Sequence, residues 1–381
     1  MLGQKVECPN CSGKSHIPNN PFDEGRVIGD YIIKRKIGEG SVGTVYLAQQ
    51  ISLDRTVALK ILSPKYANDE KGLASFLQEA RAAANLNHPN LVQAFGVGRE
   101  DNTCFMAMTY LKGESLKLRL KREKRIPVDE ALHIVQQVAE ALHYAWTEAG
   151  IIHRDVKPDN IIITDGGVVK LTDLGLAIRE KDWHENLDVS GSPSYMSPEQ
   201  FSGEKLDPRS DIYSLGISLY QMLAGRLPFE AETVRAVAKQ HFFDEPPPFQ
   251  KIDPALPGKV VALVRKMIAK EPKDRFQTME ELLKAIWEIR QKTAPDRELV
   301  PDVHTISLKR LDYELQRLSH KKQLHIRQHN RQARTKSAAA AGHRLMLGIG
   351  LAALLFLGIA VWLGWYYHQA GQLAEKQRLI E

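Results

Sequence analysis

A ten-residue run near the middle of the chain constrains fold and chemistry more than any other feature. Residues 151–160 read IIHRDVKPDN, and residues 172–175 read TDLG. This spacing supplies a carboxylate that can accept a hydroxyl proton, a lysine that can hold a γ-phosphate, and an amide and a second carboxylate that can chelate Mg²⁺. Phosphoryl transfer needs these parts, because its catalysis is mostly positioning and charge neutralisation. In that order they are Asp155, Lys157, Asn160 and Asp173.

A glycine-rich turn lies upstream of this run. Residues 37–45 read IGEGSVGTV and stand between two strand-like runs, 31–33 and 45–48. Glycines at such a turn let backbone amides approach phosphate oxygens. Taken alone, a glycine-rich turn between strands is more often a plain hairpin, whereas a dinucleotide-binding fold would place a helix after it.

A lysine and a glutamate follow in the order that a phosphate site requires. The segment 57–60 reads VALK and ends an alternating strand in Lys60. Glu79 lies further on, in a helical pattern from Leu73 to Leu86. An ion pair between Lys60 and Glu79 is therefore possible.

Together these motifs resemble the protein kinase family, specifically the membrane-bound serine/threonine kinases of bacteria, over 31–289. The resemblance continues through 191–199, 210–216 and Arg275. It implies an α+β, two-lobed fold with a β-rich N-lobe and a mostly helical C-lobe. ATP and Mg²⁺ are expected between the lobes, and protein serine or threonine hydroxyls are the expected acceptors.

The resemblance also assigns roles to residues. Lys60, paired with Glu79, would bind the α- and β-phosphates, and Asp155 would be the catalytic base, with Lys157 beside it. Asn160 and Asp173 would hold the metal. The residues expected around the nucleotide are Ile37, Gly38, Glu39, Gly40, Ser41, Val42, Gly43, Val45, Ala58, Lys60, Met108, Thr109 and Leu111.

Further positions carry expectations from the same resemblance. Met108 would be the gatekeeper, and 109–113 the hinge that receives adenine. Asp211 would brace the catalytic loop (residues 151–160), and Glu199 would pair with Arg275.

Two features place the chain within the family. Lys157 and the Gly-Ser-Pro at 191–193 resemble the serine/threonine branch and not the tyrosine branch. Leu174 stands where most kinases have phenylalanine, and Ala83 is small where the family packs a larger side chain behind Glu79. These departures affect packing and leave the chemistry intact.

Two rival functions remain open at this point. One is an ATP-binding pseudokinase that acts as a membrane scaffold, although no catalytic position is replaced. The other is small-molecule phosphotransfer on the same fold. The complete segment 191–199, which forms the peptide-docking floor in protein kinases, disfavours it.

Composition bounds the remaining classes. The chain has 381 residues, 43% of them hydrophobic, and only three cysteines, which argues against a disulfide framework. The net charge of +6 is local, since residues 305–344 alone carry ten Lys/Arg against two acidic residues. The region expected to be catalytic shows no basic stripe interleaved with aromatics, so nucleic-acid binding is not expected.

A candidate membrane anchor follows the basic segment. Residues 345–367 contain no charged side chain, and about 20 apolar residues suffice to cross a bilayer. Aromatic residues Trp362, Trp365, Tyr366 and Tyr367 crowd one end. Positive charge is concentrated on the N-terminal side, which predicts a cytoplasmic catalytic domain at the inner cell membrane and a short extracytoplasmic tail, 368–381.

The predicted organisation is an N-terminal arm (1–25), a kinase domain (26–292), a basic juxtamembrane segment (293–344), the anchor and the tail. Leucines at 308, 311, 315 and 318 fit a short coiled coil, which would allow a homodimer through the juxtamembrane or transmembrane helix. An amphipathic helix on the kinase or on anionic lipid fits them equally.

The N-terminal arm contains half of a zinc-ribbon pattern. Cys8 and Cys11 are spaced as two metal ligands, and His16 is the one obvious third. Zinc shared between two chains is one reading, and an arm without metal is the favoured one.

Activation is predicted to need little phosphorylation. Arg154 precedes the catalytic aspartate, a feature that in related kinases pairs with a phosphorylated residue. Glu185 and Asp188 lie where such residues often stand, so a carboxylate could partly replace the phosphate. Ser190 is the one candidate phosphorylation switch, and Ser192 takes the place of a threonine whose hydroxyl helps hold the catalytic Asp and Lys.

Overall fold

The structure is a computed structural model that describes residues 5–7, 14–16, 24–40, 42–100, 103–174, 177–179, 191–293 and 364. Residues 1–295 form one compact unit. Residues 296–381 form a second unit, of which only Gly364 is described.

The N-lobe is built on a six-stranded antiparallel sheet with strand order β3-β4-β5-β6-β8-β7. Alternating side chains of its central strands pack on one face, where Ile33, Ala48, Val57, Leu59 and Ala107 are fully buried. The strands are β3 (Val27–Ile28), β4 (Tyr31–Glu39), β5 (Gly43–Gln50), β6 (Arg55–Leu62), β7 (Ala94–Glu100) and β8 (Thr103–Thr109).

Two helices lie between β6 and β7, namely α1 (Pro64–Ala67) and α2 (Glu70–Asn85). Asp69 caps α2 by accepting a hydrogen bond from the Gly72 amide at 2.9 Å, so the helix begins before the predicted pattern does. One stripe of α2 is buried, and it carries Glu79 among apolar side chains. A carboxylate in that position requires a cationic partner.

The C-lobe is mostly helical. Its largest helices, α4 and α6, pack against each other, and α6 is buried almost all round, as expected of a helix at the centre of a core. The helices are α3 (Leu116–Glu123), α4 (Val128–Ala149), α5 (Pro198–Ser202), α6 (Pro208–Ala224), α7 (Val234–Phe243), α8 (Gly258–Met267) and α9 (Met279–Thr293).

Two small sheets position the loop between α4 and α5. One has the order β12-β11-β9, and the other pairs β10 with β13. Gly150 ends α4 in a left-handed conformation (φ 62°), which turns the chain directly into β10. The strands are β9 (Gly113–Ser115), β10 (Ile151–Ile152), β11 (Ile161–Thr164), β12 (Val169–Leu171) and β13 (Ile178–Arg179).

The N-terminal arm contributes an antiparallel hairpin, β1 (Lys5–Glu7) and β2 (Lys14–His16). His16 lies opposite Lys5, at the end of the hairpin away from its loop. Both arm cysteines lie outside the described residues. Within the described ranges, no group of three or more His, Cys, Asp and Glu residues could hold a metal ion.

Three predicted segments lie almost entirely outside the described residues. The structure describes only Thr293 of the juxtamembrane segment, only Gly364 of the anchor and nothing of the tail. Among the residues that are described, no helix is both long enough and apolar enough to cross a membrane. The membrane anchor therefore stays a prediction of the sequence.

Candidate active site

A three-member charge cluster, here called the Lys60 cluster, joins β6, α2 and the segment after β12. Lys60 Nζ lies 2.7 Å from Glu79 Oε1 and 2.8 Å from Asp173 Oδ1. The predicted ion pair is therefore present. The side chains of Lys60 and Glu79 are 11% and 5% exposed, whereas that of Asp173 is 44% exposed. One ammonium thus bridges a buried carboxylate and one that reaches solvent.

The pKa values of this cluster differ by residue. Burial raises the pKa of Glu79 to about 7, and the attraction of Lys60 opposes that rise. Burial also acts against ionisation of Asp173, but the charge of Lys60 outweighs it and lowers the pKa of Asp173 to about 2. Asp173 is therefore the fixed anion of the cluster, and Glu79 is the member that titrates near neutral pH.

The glycine-rich turn connects β4 to β5. The Gly40 amide donates to the Gly43 carbonyl at 2.9 Å, which closes the turn. A Cβ on Gly43 would lie 2.2 Å from the Ile61 carbonyl oxygen, so a glycine is required at that position. Ile37, Gly38 and Glu39 lie at the end of β4, and Val45 pairs with Lys60 across β5 and β6. Ser41 is outside the described residues.

The expected adenine-binding residues come together on β6 and β8. Ala58 pairs with Met108, and Val57 pairs with Thr109. Met108 is half-buried and packs against the buried core to which α2 and the C-lobe helices contribute. The Thr109 amide donates to the Gln93 carbonyl at 3.0 Å, which ties the start of the hinge to the residue before β7, and Leu111 follows in the hinge.

Both oxygens of the Asp155 carboxylate accept a hydrogen bond, which fixes its orientation. Lys157 Nζ lies 2.6 Å from Asp155 Oδ2 and also donates to Ser192 Oγ at 2.6 Å. The Ser192 amide donates to Asp155 Oδ1 at 3.1 Å. The Ser192 hydroxyl therefore holds Lys157, as predicted, whereas Asp155 is held by the Ser192 backbone amide.

Asn160 and Asp173 are suited to a metal ion. The Asn160 amide nitrogen donates to the Asp155 carbonyl oxygen at 2.9 Å and lies 3.1 Å from Asp155 Oδ2, which turns the Asn160 amide oxygen away from Asp155. Asp173 is ionised, as its lowered pKa requires. An amide oxygen and a carboxylate are the hard oxygen ligands that Mg²⁺ prefers, so the donor set fits that ion.

Asp211, on α6, holds the backbone of the catalytic loop. Its carboxylate accepts from the His153 amide at 2.8 Å and from the Arg154 amide at 2.9 Å. Arg154 has φ 69°, and Asp173 has φ 63°. Non-glycine residues rarely adopt this conformation, and at Arg154 the two bonds to Asp211 hold the strained loop in place. The predicted bracing role of Asp211 is confirmed.

The predicted pair of Glu199 and Arg275 is also confirmed, and it is almost sealed from solvent. The two guanidinium nitrogens Nη1 and Nη2 reach the two carboxylate oxygens at 2.6 and 2.8 Å, with side-chain exposures of 0% for Arg275 and 6% for Glu199. Backbone carbonyls of Ala269, Arg209 and Lys270 accept three further bonds, so the five N–H donors of the guanidinium are matched by five hydrogen bonds.

One positioning residue was not predicted from the sequence. Gln200 is buried, and its Nε2 donates to the Arg154 carbonyl at 2.9 Å, so α5 supports the catalytic loop. The Gln200 side-chain oxygen also accepts from the Ser197 amide as half of a capping box. The Ser-x-x-Gln spacing at 197–200 is the signal that could have revealed the box.

Several sequence-derived expectations cannot be placed. The activation candidates Glu185, Asp188 and Ser190 lie outside the described residues, as does Gly175. Leu174 is buried, and so is Ala83 on α2.

Comparison with known proteins agrees with this geometry. The chain matches the protein kinase domain family over residues 31–288. It is 40% identical over 260 residues to serine/threonine-protein kinase PrkC of Bacillus subtilis, covering 68% of this chain and 40% of that protein. It is 38% identical over 268 residues to serine/threonine-protein kinase pkn3 of Myxococcus xanthus, covering 66% and 48%.

A solved structure gives the same result. The PknI kinase domain of Mycobacterium tuberculosis superposes with a TM-score of 0.57 at 30% identity, over 70% of this chain and 98% of that domain. The chain spans less than half the length of the two curated relatives. The matched region contains the Lys60 cluster, the catalytic loop and the Glu199–Arg275 pair, and we conclude that this chain belongs to the protein kinase family.

Proposed function

We propose that this protein is a serine/threonine protein kinase that transfers the γ-phosphoryl group of ATP to protein hydroxyls. The observation that carries the proposal is the held Asp155 carboxylate, bonded by Lys157 and the Ser192 amide, in a domain whose Lys60–Glu79 ion pair is formed. Both are required for phosphoryl transfer in this family. A scaffold without catalysis needs neither.

The residues divide the work as follows. Lys60 places a positive charge where the α- and β-phosphates are expected, and Glu79 fixes the direction of that ammonium. Asp155 orients the acceptor hydroxyl and accepts its proton, while Lys157 neutralises charge on the transferring group. Asn160 and Asp173 would hold Mg²⁺, which when bound neutralises the phosphate oxygens.

The acceptor is proposed to be a protein side chain. The segment after Gly191 forms an ordered floor beside Asp155. The hydroxyl of Tyr195 in this segment donates to Gln221 Oε1 at 2.7 Å. A peptide can lie on this floor with its hydroxyl at Asp155. Protein substrates are thereby favoured over small alcohols.

The test compares the wild-type chain with Asp155→Asn. We expect loss of phosphotransfer by about 1,000-fold, because the proton acceptor is removed. Nucleotide affinity should stay within about threefold, because the Lys60 cluster is untouched. Phosphotransfer by Asp155→Asn at near wild-type rate would refute the assigned role. A wild-type chain that binds ATP without turnover would favour the pseudokinase alternative.

We also propose that the chain is anchored in the inner membrane by one helix at 345–367, with the kinase domain in the cytoplasm and the basic flank against anionic lipid. The support is the charge-free run and the excess of arginine and lysine before it. The full chain should stay in the membrane pellet at high salt, because salt screens the basic flank but not hydrophobic insertion. Truncation after Ser337 should release it, and a truncated chain that resists high salt would contradict the single anchor.

A further inference from the structure

An ion pair at the edge of the catalytic loop has no part in the mechanism above. Lys117 Nζ, in the first turn of α3, lies 2.6 Å from Asp159 Oδ1, which belongs to the short turn directly after Lys157. The two side chains are 65% and 36% exposed. Lys117 therefore reaches from α3 to the turn 158–160. This turn, at the edge of the catalytic loop, is here called the rim of the acceptor site.

Asp159 belongs to the same surface as the catalytic base. Burial raises the pKa of the Tyr195 hydroxyl, and the carboxylates of Asp159, Glu230 and Asp155 raise it further. The charges of these three carboxylates therefore all act on one phenol of the peptide floor. The next residue, Asn160, lies 3.1 Å from Asp155 Oδ2, so Asp159 is near the place where a peptide would bring its hydroxyl to Asp155.

The position of Lys117 suits charge cancellation more than helix stability. Ser115 caps α3 by accepting from the Leu118 amide at 3.2 Å, so Lys117 lies among the positive N-terminal amides of the helix. A cation is disfavoured there. An exposed ion pair contributes little to stability, so the main effect of the pair is on the charge that the rim presents to a substrate.

We propose that Lys117 is a specificity-determining residue, and this inference rests on the proposed protein kinase function. By pairing with Asp159, Lys117 neutralises the carboxylate beside the catalytic loop. A basic residue next to the serine or threonine of a substrate peptide then increases kcat/KM only slightly. Removing Lys117 uncovers Asp159 and gives the enzyme a preference for basic peptides.

The experiment measures kcat/KM of the full chain, in detergent, with a set of serine peptides. The set contains a neutral peptide and peptides with one arginine at successive positions on either side of the serine. In Lys117→Ala, the best arginine peptide should gain about two- to fivefold over the neutral peptide relative to wild type, which is the range of an exposed charge pair. The gain should appear in KM and shrink at high salt.

Two variants control for general charge effects. Lys121→Ala removes an exposed lysine of the same helix, one turn further on, and should leave the peptide ratio at its wild-type value. The double variant with Lys117→Ala and Asp159→Asn should return the ratio to wild type, because the uncovered carboxylate is gone.

The outcomes separate the inference from the function on which it rests. Phosphotransfer with a peptide ratio unchanged in Lys117→Ala overturns the inference alone. A gain that persists in the double variant, or appears equally in Lys121→Ala, also overturns it, because Asp159 is then not responsible. Absence of phosphotransfer to every peptide by the wild-type chain overturns the proposed function as well.

Discussion

The Lys60 cluster and the Glu199–Arg275 pair are both buried ionic sites, but they are built differently. In the Lys60 cluster one ammonium serves two carboxylates, and one of these, Asp173, is 44% exposed. In the C-lobe pair the Arg275 guanidinium donates two hydrogen bonds to the Glu199 carboxylate and three to backbone carbonyls. The first site has an open side, and the second is closed.

The difference follows from the choice of cation. A lysine ammonium is a compact charge whose donors can be redistributed, whereas an arginine guanidinium is a planar fork that fixes its partners. The cluster that must accept phosphates and a metal is the one whose contacts can rearrange. The closed pair can only be made or broken as a whole. We therefore expect substitutions in the first site to affect activity and those in the second to affect stability.

The largest effect should follow Arg275→Met. Removing the guanidinium leaves Glu199 buried without its cation, and breaking a buried pair in this way costs about 3–5 kcal/mol of unfolding free energy. Chemical denaturation measures this cost. Arg209→Met is the control, because Arg209 pairs with Asp207 in a partly exposed site (28% and 38% exposed), and it should cost at most about 1 kcal/mol. Equal costs for the two variants would show that exclusion from solvent does not determine the cost of breaking an ion pair.

Lys60→Met should lower phosphotransfer by about 100-fold, because the phosphates lose a preorganised charge. It should change the unfolding free energy much less than Arg275→Met does. The reason is that Glu79, whose pKa is already raised to about 7, takes up a proton when its partner is removed. Lys71→Met, an exposed lysine of α2, is the control for both measurements. A stability loss as large as that of Arg275→Met would contradict the proposed rearrangement.

Acidification should destabilise the C-lobe through His241. This residue is fully buried, and its Nδ1 lies 2.8 Å from the Tyr213 hydroxyl. Burial first, and then the nearby charge of Lys270, lower the pKa of His241 to about 3 from 6.5. Between pH 6.5 and pH 3, His241 is therefore protonated in the unfolded chain but neutral in the folded chain. The free energy of unfolding falls as the pH drops below about 6.5.

The loss attributable to His241 between pH 7 and pH 5 should be about 2 kcal/mol. Denaturation curves at the two pH values measure it, and His241→Gln should remove this part of the slope. His143→Gln, which replaces a partly exposed histidine, is the control. An unchanged slope in His241→Gln would show that another group is responsible.

A smaller effect is expected from Glu79. Because its folded pKa is raised to about 7, Glu79 becomes neutral below that pH and no longer forms the ion pair with Lys60. The kcat/KM for ATP should fall by about tenfold between pH 8 and pH 6, since each unit below the pKa reduces the ionised fraction about tenfold. In Glu79→Gln, kcat/KM for ATP should be lower at pH 8 and should not fall further between pH 8 and pH 6. A limb of the same shape in both proteins would assign it elsewhere.

The smallest effect is expected from phosphatase treatment. If Glu185 and Asp188 replace an activating phosphate, the initial rate on an added substrate should change by less than about twofold. Ser190→Ala should behave in the same way. A large and reversible loss after treatment, reproduced by Ser190→Ala, would instead identify phosphorylated Ser190 as the switch.

The sequence predicted the members of the two ionic sites, because motif spacing and family resemblance identify residues that carry chemistry. It did not predict how closed each site is. The exposure of Asp173 and the sealing of Arg275 depend on packing between distant segments. Lys117 and Asp159 are likewise separated by 42 positions and share no local pattern. Pairs of this kind become visible only when α3 and the catalytic loop are placed in space.

The hydrogen bonds to Asp211 have a consequence for measurements of local opening. The amides of His153 and Arg154 both donate to this one carboxylate, which belongs to a buried helix. Neither amide can exchange its hydrogen with solvent unless the catalytic loop separates from α6. Their exchange rates therefore report the free energy of that separation, independently of any catalytic assay. Hydrogen exchange at these two amides, next to the catalytic base, thus measures how often the catalytic loop separates from α6.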